Sequence, residues 1–130
     1  MNKPVVLIVD DEPDVVTMWQ RSLLTEGFEV ICAYDGISAV DMAEVDKPDL
    51  VLLDIMMPML NGYDVCRQIK ANPATEHIPV LCVTSAQNDE VRENAQAAGA
   101  QGLLIKPFAT RELVAQINRF LPSPQSKRAE

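Results

Sequence analysis

The chain has 130 residues, 48% of them hydrophobic and 23% charged, with 19 acids against 11 bases and a net charge of −8. That suits one domain with a real core and argues against overall disorder, and a negative surface opposes direct nucleic-acid binding. No apolar run reaches the ~18 residues of a membrane span, and the first run is stopped by acids instead of a small-residue cleavage site, so the expected location is the cytoplasm, off the membrane.

Val5–Val9 is a nearly continuous Val, Leu and Ile run, as expected of a strand covered on both faces, and it leads into Asp10, Asp11 and Glu12. A helix is expected from about Pro13-Asp14 to Gly27, with proline in its first turn. Val16, Trp19 and Leu23 form its core stripe. Val15 and Met18 lie on a neighbouring face, which is either a wider buried face or a docking surface. A second strand, Phe28–Ala33, precedes a helix from about Ile37 to Glu44 that ends before Pro48. The third strand, Leu50–Leu53, runs straight into Asp54. Asn61-Gly62 opens a third helix with Val65, Cys66 and Ile69 at helical spacing. The fourth strand is Val80–Thr84, and the fourth helix spans about Asp89 to Ala98, with Gly99 as its stop. Leu103–Ile105 leads to Lys106, and the last helix is expected to open with Thr110 as its cap and to carry Leu113, Val114, Ile117, Phe120 and Leu121 on one stripe. Residues 122–130 read as a disordered end or the start of a linker. Cys32, Cys66 and Cys82 have neither zinc nor redox spacing and are expected to be reduced, buried thiols; His77 has no second ligand near it.

Five alternations of strand and helix imply an α/β fold, an open doubly wound parallel sheet. Ligands of such sheets bind at the carboxyl ends of the strands. Those ends carry Asp10 and Asp11, Asp54, Thr84 and Lys106, so three carboxylates, a hydroxyl and an amine converge. Like charges packed together are costly unless a cation joins them, and hard oxygen ligands suit Mg²⁺. A carboxylate is a competent nucleophile toward phosphorus, and a lysine suits phosphoryl oxygens. One at a time each residue has an ordinary reading: Asp10 and Asp11 as helix caps, Thr84 as a strand residue, Lys106 as a solvated turn. The combination is harder to dismiss.

Val9-Asp10-Asp11-Glu12, Asp54-Ile55-Met56-Met57-Pro58 with Gly62, Val83-Thr84-Ser85 and Lys106-Pro107-Phe108, in that order, resemble the receiver domains of bacterial two-component response regulators over about residues 4 to 121. The resemblance implies a flavodoxin-like (βα)5 fold of five strands and five helices, with a receiver domain at 1–121. It implies Asp54 as phosphoacceptor, Asp11 as a direct Mg²⁺ ligand, Asp10 as a ligand through water, and the Met56 carbonyl as a further ligand. Lys106 would pair with the phosphoryl group before a cis Pro107, and Thr84 would swing toward it as the switch. The implied partners are a sensor histidine kinase or histidine phosphotransfer protein, docking near Val15 and Met18, and a downstream protein effector. The chain departs from the family in having Leu103 where an aromatic switch residue is common. Gln116 and Asn118 stand where a dimerising receiver carries charges, which favours a monomer.

Two rivals are weighed against this. An aspartate-nucleophile phosphatase or phosphotransferase acting on an external substrate wants a second acid two residues after the nucleophile, where this chain has Met56. A nucleotide- or flavin-binding module wants a glycine-rich loop after the first strand, where this chain has acids.

Overall fold

The computed structural model describes residues 3–56, 61–86 and 88–121. The Met57-Pro58 part of the acceptor motif and the expected tail at 122–130 lie outside them. Strands and helices alternate as β1 (Val5–Val9), α1 (Pro13–Thr25), β2 (Glu29–Ala33), α2 (Gly36–Asp46), β3 (Leu50–Asp54), α3 (Gly62–Ala71), β4 (Val80–Thr84), α4 (Asp89–Ala97), β5 (Gly102–Ile105) and α5 (Thr110–Phe120). The five strands are all parallel and ordered β2-β1-β3-β4-β5. This is the expected doubly wound (βα)5 fold.

The sheet separates two cores. Leu7, Val9, Val51, Leu53, Val80 and Cys82 face α2, α3 and α4, and Leu103 packs partly against the same cluster. Val6, Ile8, Leu50, Leu52, Leu81, Val83 and Leu104 face α1 and α5, where Trp19, Leu23, Leu113 and Ile117 are buried. Side chains alternate between faces along a strand, so burying both faces requires the uninterrupted apolar runs seen in β1, β3 and β4.

Local chemistry sets the helix ends. Asp35, Asn61 and Asn88 accept backbone N–H groups of Ser38, Tyr63 and Val91, capping α2, α3 and α4. Gly27 and Gly99 hold φ of +96° and +98°, which terminates α1 and α4 as their positions suggested. Three expectations need correction. Thr110 is the first residue of α5 rather than its cap; Ala109 is the cap, and the Thr110 hydroxyl is engaged at 3.5 Å with Ser22 on α1. Phe28 precedes β2 and is buried on the α1 and α5 side of the sheet, its N–H donating to Leu23 O to close the end of α1. Cys66 and Cys82 are buried free thiols, whereas Cys32 is only half-buried.

Candidate functional site

The period of two along each strand fixes which residues meet. Ile8, Leu52 and Leu104 all belong to the core beneath α1 and α5. Two residues further along, on the same side, stand Asp10, Asp54 and Lys106. Ile8 pairs with Leu52 in the β1–β3 register, so Asp10 and Asp54 leave the sheet side by side. Lys106 lies beyond the register position of Asp54 and reaches back to it. Its Nζ is 3.1 Å from Asp54 Oδ2 and 3.8 Å from Asp10 Oδ2.

Both carboxylates are buried: Asp10 is 0% and Asp54 4% exposed. Asp10 Oδ1 accepts the Glu12 N–H at 3.0 Å, and Asp54 Oδ1 accepts the Met56 N–H at 2.8 Å. Asp10 Oδ2 is buried and, among the described residues, has no hydrogen-bond partner. It lies 3.8 Å from the Lys106 ammonium. Burial pushes the Asp10 carboxyl up to about 7, helped by the neighbouring Asp54 carboxylate and opposed by the Glu12 N–H and by Lys106.

Asp11 is half-buried beside Asp10, and a carboxylate oxygen from each of Asp10, Asp11 and Glu12 fits within 4.8 Å. An orphaned buried carboxylate oxygen inside a cluster of hard oxygens fits a divalent cation of the Mg²⁺ kind. Glu12 belongs to this cluster although its sequence position suggested only a helix start. It precedes Pro13 as the α1 cap residue, but its side chain makes no capping bond.

Thr84 is fully buried at the end of β4, and its Oγ1 accepts the Ala86 N–H at 3.0 Å. The hydroxyl is thus committed to its own loop, on the strand next to Asp54. Thr84 and the half-buried Leu103 share the face toward α2, α3 and α4, because Cys82 pairs with Leu103 and Thr84 with Ile105. Met56 contributes its N–H to the site while its side chain is 55% exposed. The Lys106–Pro107 peptide bond is cis, as expected.

The aromatic lining of the site was not foreseen. Lys106 Nζ lies 5.3 Å from the centre of the Trp19 ring, and Trp19 stacks on Phe108 with centroids 5.7 Å apart. The lysine therefore sits between two carboxylates and an indole face. Val15 and Met18 join Trp19, Lys106, Pro107 and Phe108 in lining a shallow cleft of about 200 Å³ next to the acids. Met18 is 56% exposed and Val15 half-buried.

Gly62 fixes the floor of the acceptor loop. A Cβ there would lie 2.4 Å from Ile55 Cα and 3.1 Å from Asp54 O, so only a bare Cα lets α3 start against the end of β3.

Residues 6–118 match the family described as the response regulator receiver domain. The chain belongs to that family. It is a signal receiver of the two-component phosphorelay type, a signalling domain built on the receiver fold. The chemotaxis protein CheY4 of Vibrio cholerae is similar over 92% of this chain and all of its own length, at 29% identity and a TM-score of 0.88. The receiver domain of a sensor histidine kinase from Pseudomonas aeruginosa, described with a magnesium ion coordinated in its active site cleft, is 33% identical over 92% of this chain and 98% of its own, with a TM-score of 0.84. A CheY-like receiver domain protein from Methanospirillum hungatei gives 25% identity, 97% and 99% coverage, and a TM-score of 0.85. Among the described residues no helix is long and apolar enough to cross a membrane.

Proposed function

We propose that Asp54 is the phosphoacceptor and that Asp10, Asp11 and Asp54, with the backbone carbonyl of Met56, hold Mg²⁺. What supports this is the position of Asp54, a buried carboxylate in contact with Lys106 beside an Asp10 oxygen that has no hydrogen-bond partner among the described residues. Bound Mg²⁺ supplies charge neutralisation for the phosphoryl oxygens. The protein's own groups do the rest. An Asp54 oxygen attacks the phosphorus of a phosphohistidine in line, forming the O–P bond as the P–N bond breaks, and the imidazole leaves with its proton. Lys106 turns its ammonium from Asp54 to the incoming phosphoryl oxygens. Thr84, whose oxygen accepts the Ala86 N–H, swings its O–H to donate to a phosphoryl oxygen, and Leu103 on the same face follows as a smaller apolar plug in place of an aromatic ring. The donor, a sensor histidine kinase or histidine phosphotransfer protein, docks over Val15 and Met18. The output is a changed surface read by a protein effector, with no turnover of an external substrate. The protein acts as a monomer in the cytoplasm.

The test is incubation with Mg²⁺ and acetyl phosphate followed by intact-mass measurement. A single phosphoryl adduct is expected on the parent chain and none on Asp54→Asn, whose amide has the same shape but is not a comparable nucleophile. An equal adduct on that variant removes Asp54 from the role, and sustained hydrolysis of phosphate esters without an adduct favours the phosphatase alternative.

A further inference from the structure

β5 is an edge strand, and its covering by α4 and α5 is incomplete. Ala95, Ala100 and Gly102 are too small to close the gap, leaving a cleft of about 360 Å³. That volume lies within the range of small-ligand sites. Gly102 is required for its shape. A Cβ there would come within 2.8 Å of Phe120 Cε2 and 2.9 Å of Leu81 Cδ1, so the bare Cα lets the phenyl ring lie against the strand.

The polar lining has one sign. Arg92 on α4 and Arg119 on α5 are both exposed at this cleft, and among the described residues no carboxylate lines it, in a chain whose net charge is −8. Among the described residues neither arginine has an ion-pair partner; the pairs present are Arg67–Asp64, Lys106–Asp10 and Lys106–Asp54. The Arg119 guanidinium lies 5.3 Å from the centre of the Phe120 ring. The amides are placed as well: Gln101 Oε1 accepts the Val80 N–H at 2.8 Å, which leaves its NH₂ as a donor, and Gln96 and Gln116 also line the cleft. Planar guanidinium groups suit phosphate oxygens, side-chain amides suit the donor and acceptor edges of a base, and a ring beside a leucine offers an apolar seat for a flat heterocycle.

We propose that this cleft binds a mononucleotide, its phosphate between Arg92 and Arg119 and its base against Leu103 and Phe120, with the glutamines at its edge. The site lies at the β5 edge between α4 and α5, shares no lining residue with Asp10, Asp54 and Lys106, and does not depend on the phosphoacceptor role. A short acidic peptide is the competing occupant. Three amides around a compact cavity favour the nucleotide, since a peptide of carboxylates would leave them without selective work.

The test uses the whole unphosphorylated chain in chelator, so that failure of the metal or acceptor assignment leaves it unaffected. Adenosine and guanosine 5′-monophosphate are titrated by calorimetry and by backbone amide NMR. Saturable binding of at least one is expected, with a Kd of about 0.1–1 mM and shifts at Gln101, Gly102 and Leu103. Arg92→Gln combined with Arg119→Gln should weaken it about tenfold or more at unchanged melting temperature, because both side chains are exposed. Ala100→Leu, which fills the cleft without touching charge, should block it. The proposal is overturned by any of four results: no saturable binding of either nucleotide, equally tight binding of inorganic phosphate, shifts confined to residues 10–12, or preference for a glutamate-rich peptide.

Discussion

Asp10→Asn, studied without metal, tests the physical core of the site. The parent Asp10 carboxyl is fully buried, has one oxygen with no hydrogen-bond partner among the described residues, and is pushed by that burial from the ordinary 3.8 up to about 7. An acid whose folded-state pKa is raised binds more protons folded than unfolded, so stability is greatest below the unfolded pKa and falls as pH rises toward the folded one. From 3.8 to about 7 is roughly 3 units, and at 1.36 kcal/mol each the ceiling on the loss is about 4 kcal/mol. Asparagine keeps the Oδ1 acceptor for the Glu12 N–H and replaces the orphaned oxygen with a neutral donor facing Asp54. In chelator at about pH 8 the variant should therefore melt higher than the parent, by on the order of 10 °C if most of that ceiling is realised. At about pH 4 the two should converge, because the parent carboxyl is then protonated in the fold. Thermal melts across this range measure the difference directly, and millimolar Mg²⁺ should raise the parent's melting temperature more than the variant's. Parallel stability curves for the two proteins between about pH 4 and 8 would refute the reasoning.

Three further perturbations separate the parts of the site. Gly62→Ala places a Cβ 2.4 Å from the Ile55 backbone and should cost about 1–3 kcal/mol by denaturant unfolding, while slowing adduct formation; an unchanged midpoint would show that α3 is free to move away from the end of β3. Lys106→Gln should reduce the rate of adduct formation from acetyl phosphate and change the fluorescence of Trp19, the only tryptophan in the chain; a normal rate would place the lysine outside the phosphoryl site. Met56→Asn with Ala86→Glu, at positions two beyond Asp54 and Thr84, should shorten the adduct lifetime by supplying polar groups that orient water for in-line attack, whereas the parent thioether offers none. Equal decay by intact mass would indicate that backbone geometry alone sets the lifetime.

The fold was legible because the parallel sheet demands unusual composition: β3 and β4 are buried at every residue, and runs such as Leu50–Leu53 have no other natural use in a chain of this charge. The same apolarity made the strand-end acids conspicuous. Boundaries set by single hydrogen bonds were less visible. Thr110 and Ala109 are one residue apart, and the Thr110 hydroxyl that would have capped α5 instead meets Ser22 on α1. The contacts of Trp19 were hidden for a similar reason. Its helical spacing gave a core residue, which it is at 5% exposed, but that Lys106 lies near its ring depends on how α1 crosses the sheet. Glu12 was hidden by Pro13, since the residue before a helical proline reads as punctuation.

The place of Lys106 has a consequence for how information leaves the site. One ammonium is shared by Asp54, Asp10 and the face of Trp19, and the same lysine and indole border the cleft that contains Val15 and Met18. The negative group proposed for Asp54 would draw that cation further from the ring, and the α1 surface would lose part of the lysine's positive potential. Linkage makes the traffic reciprocal: whatever seats itself against Trp19 and competes for the lysine alters by the same free energy how readily Asp54 takes on charge.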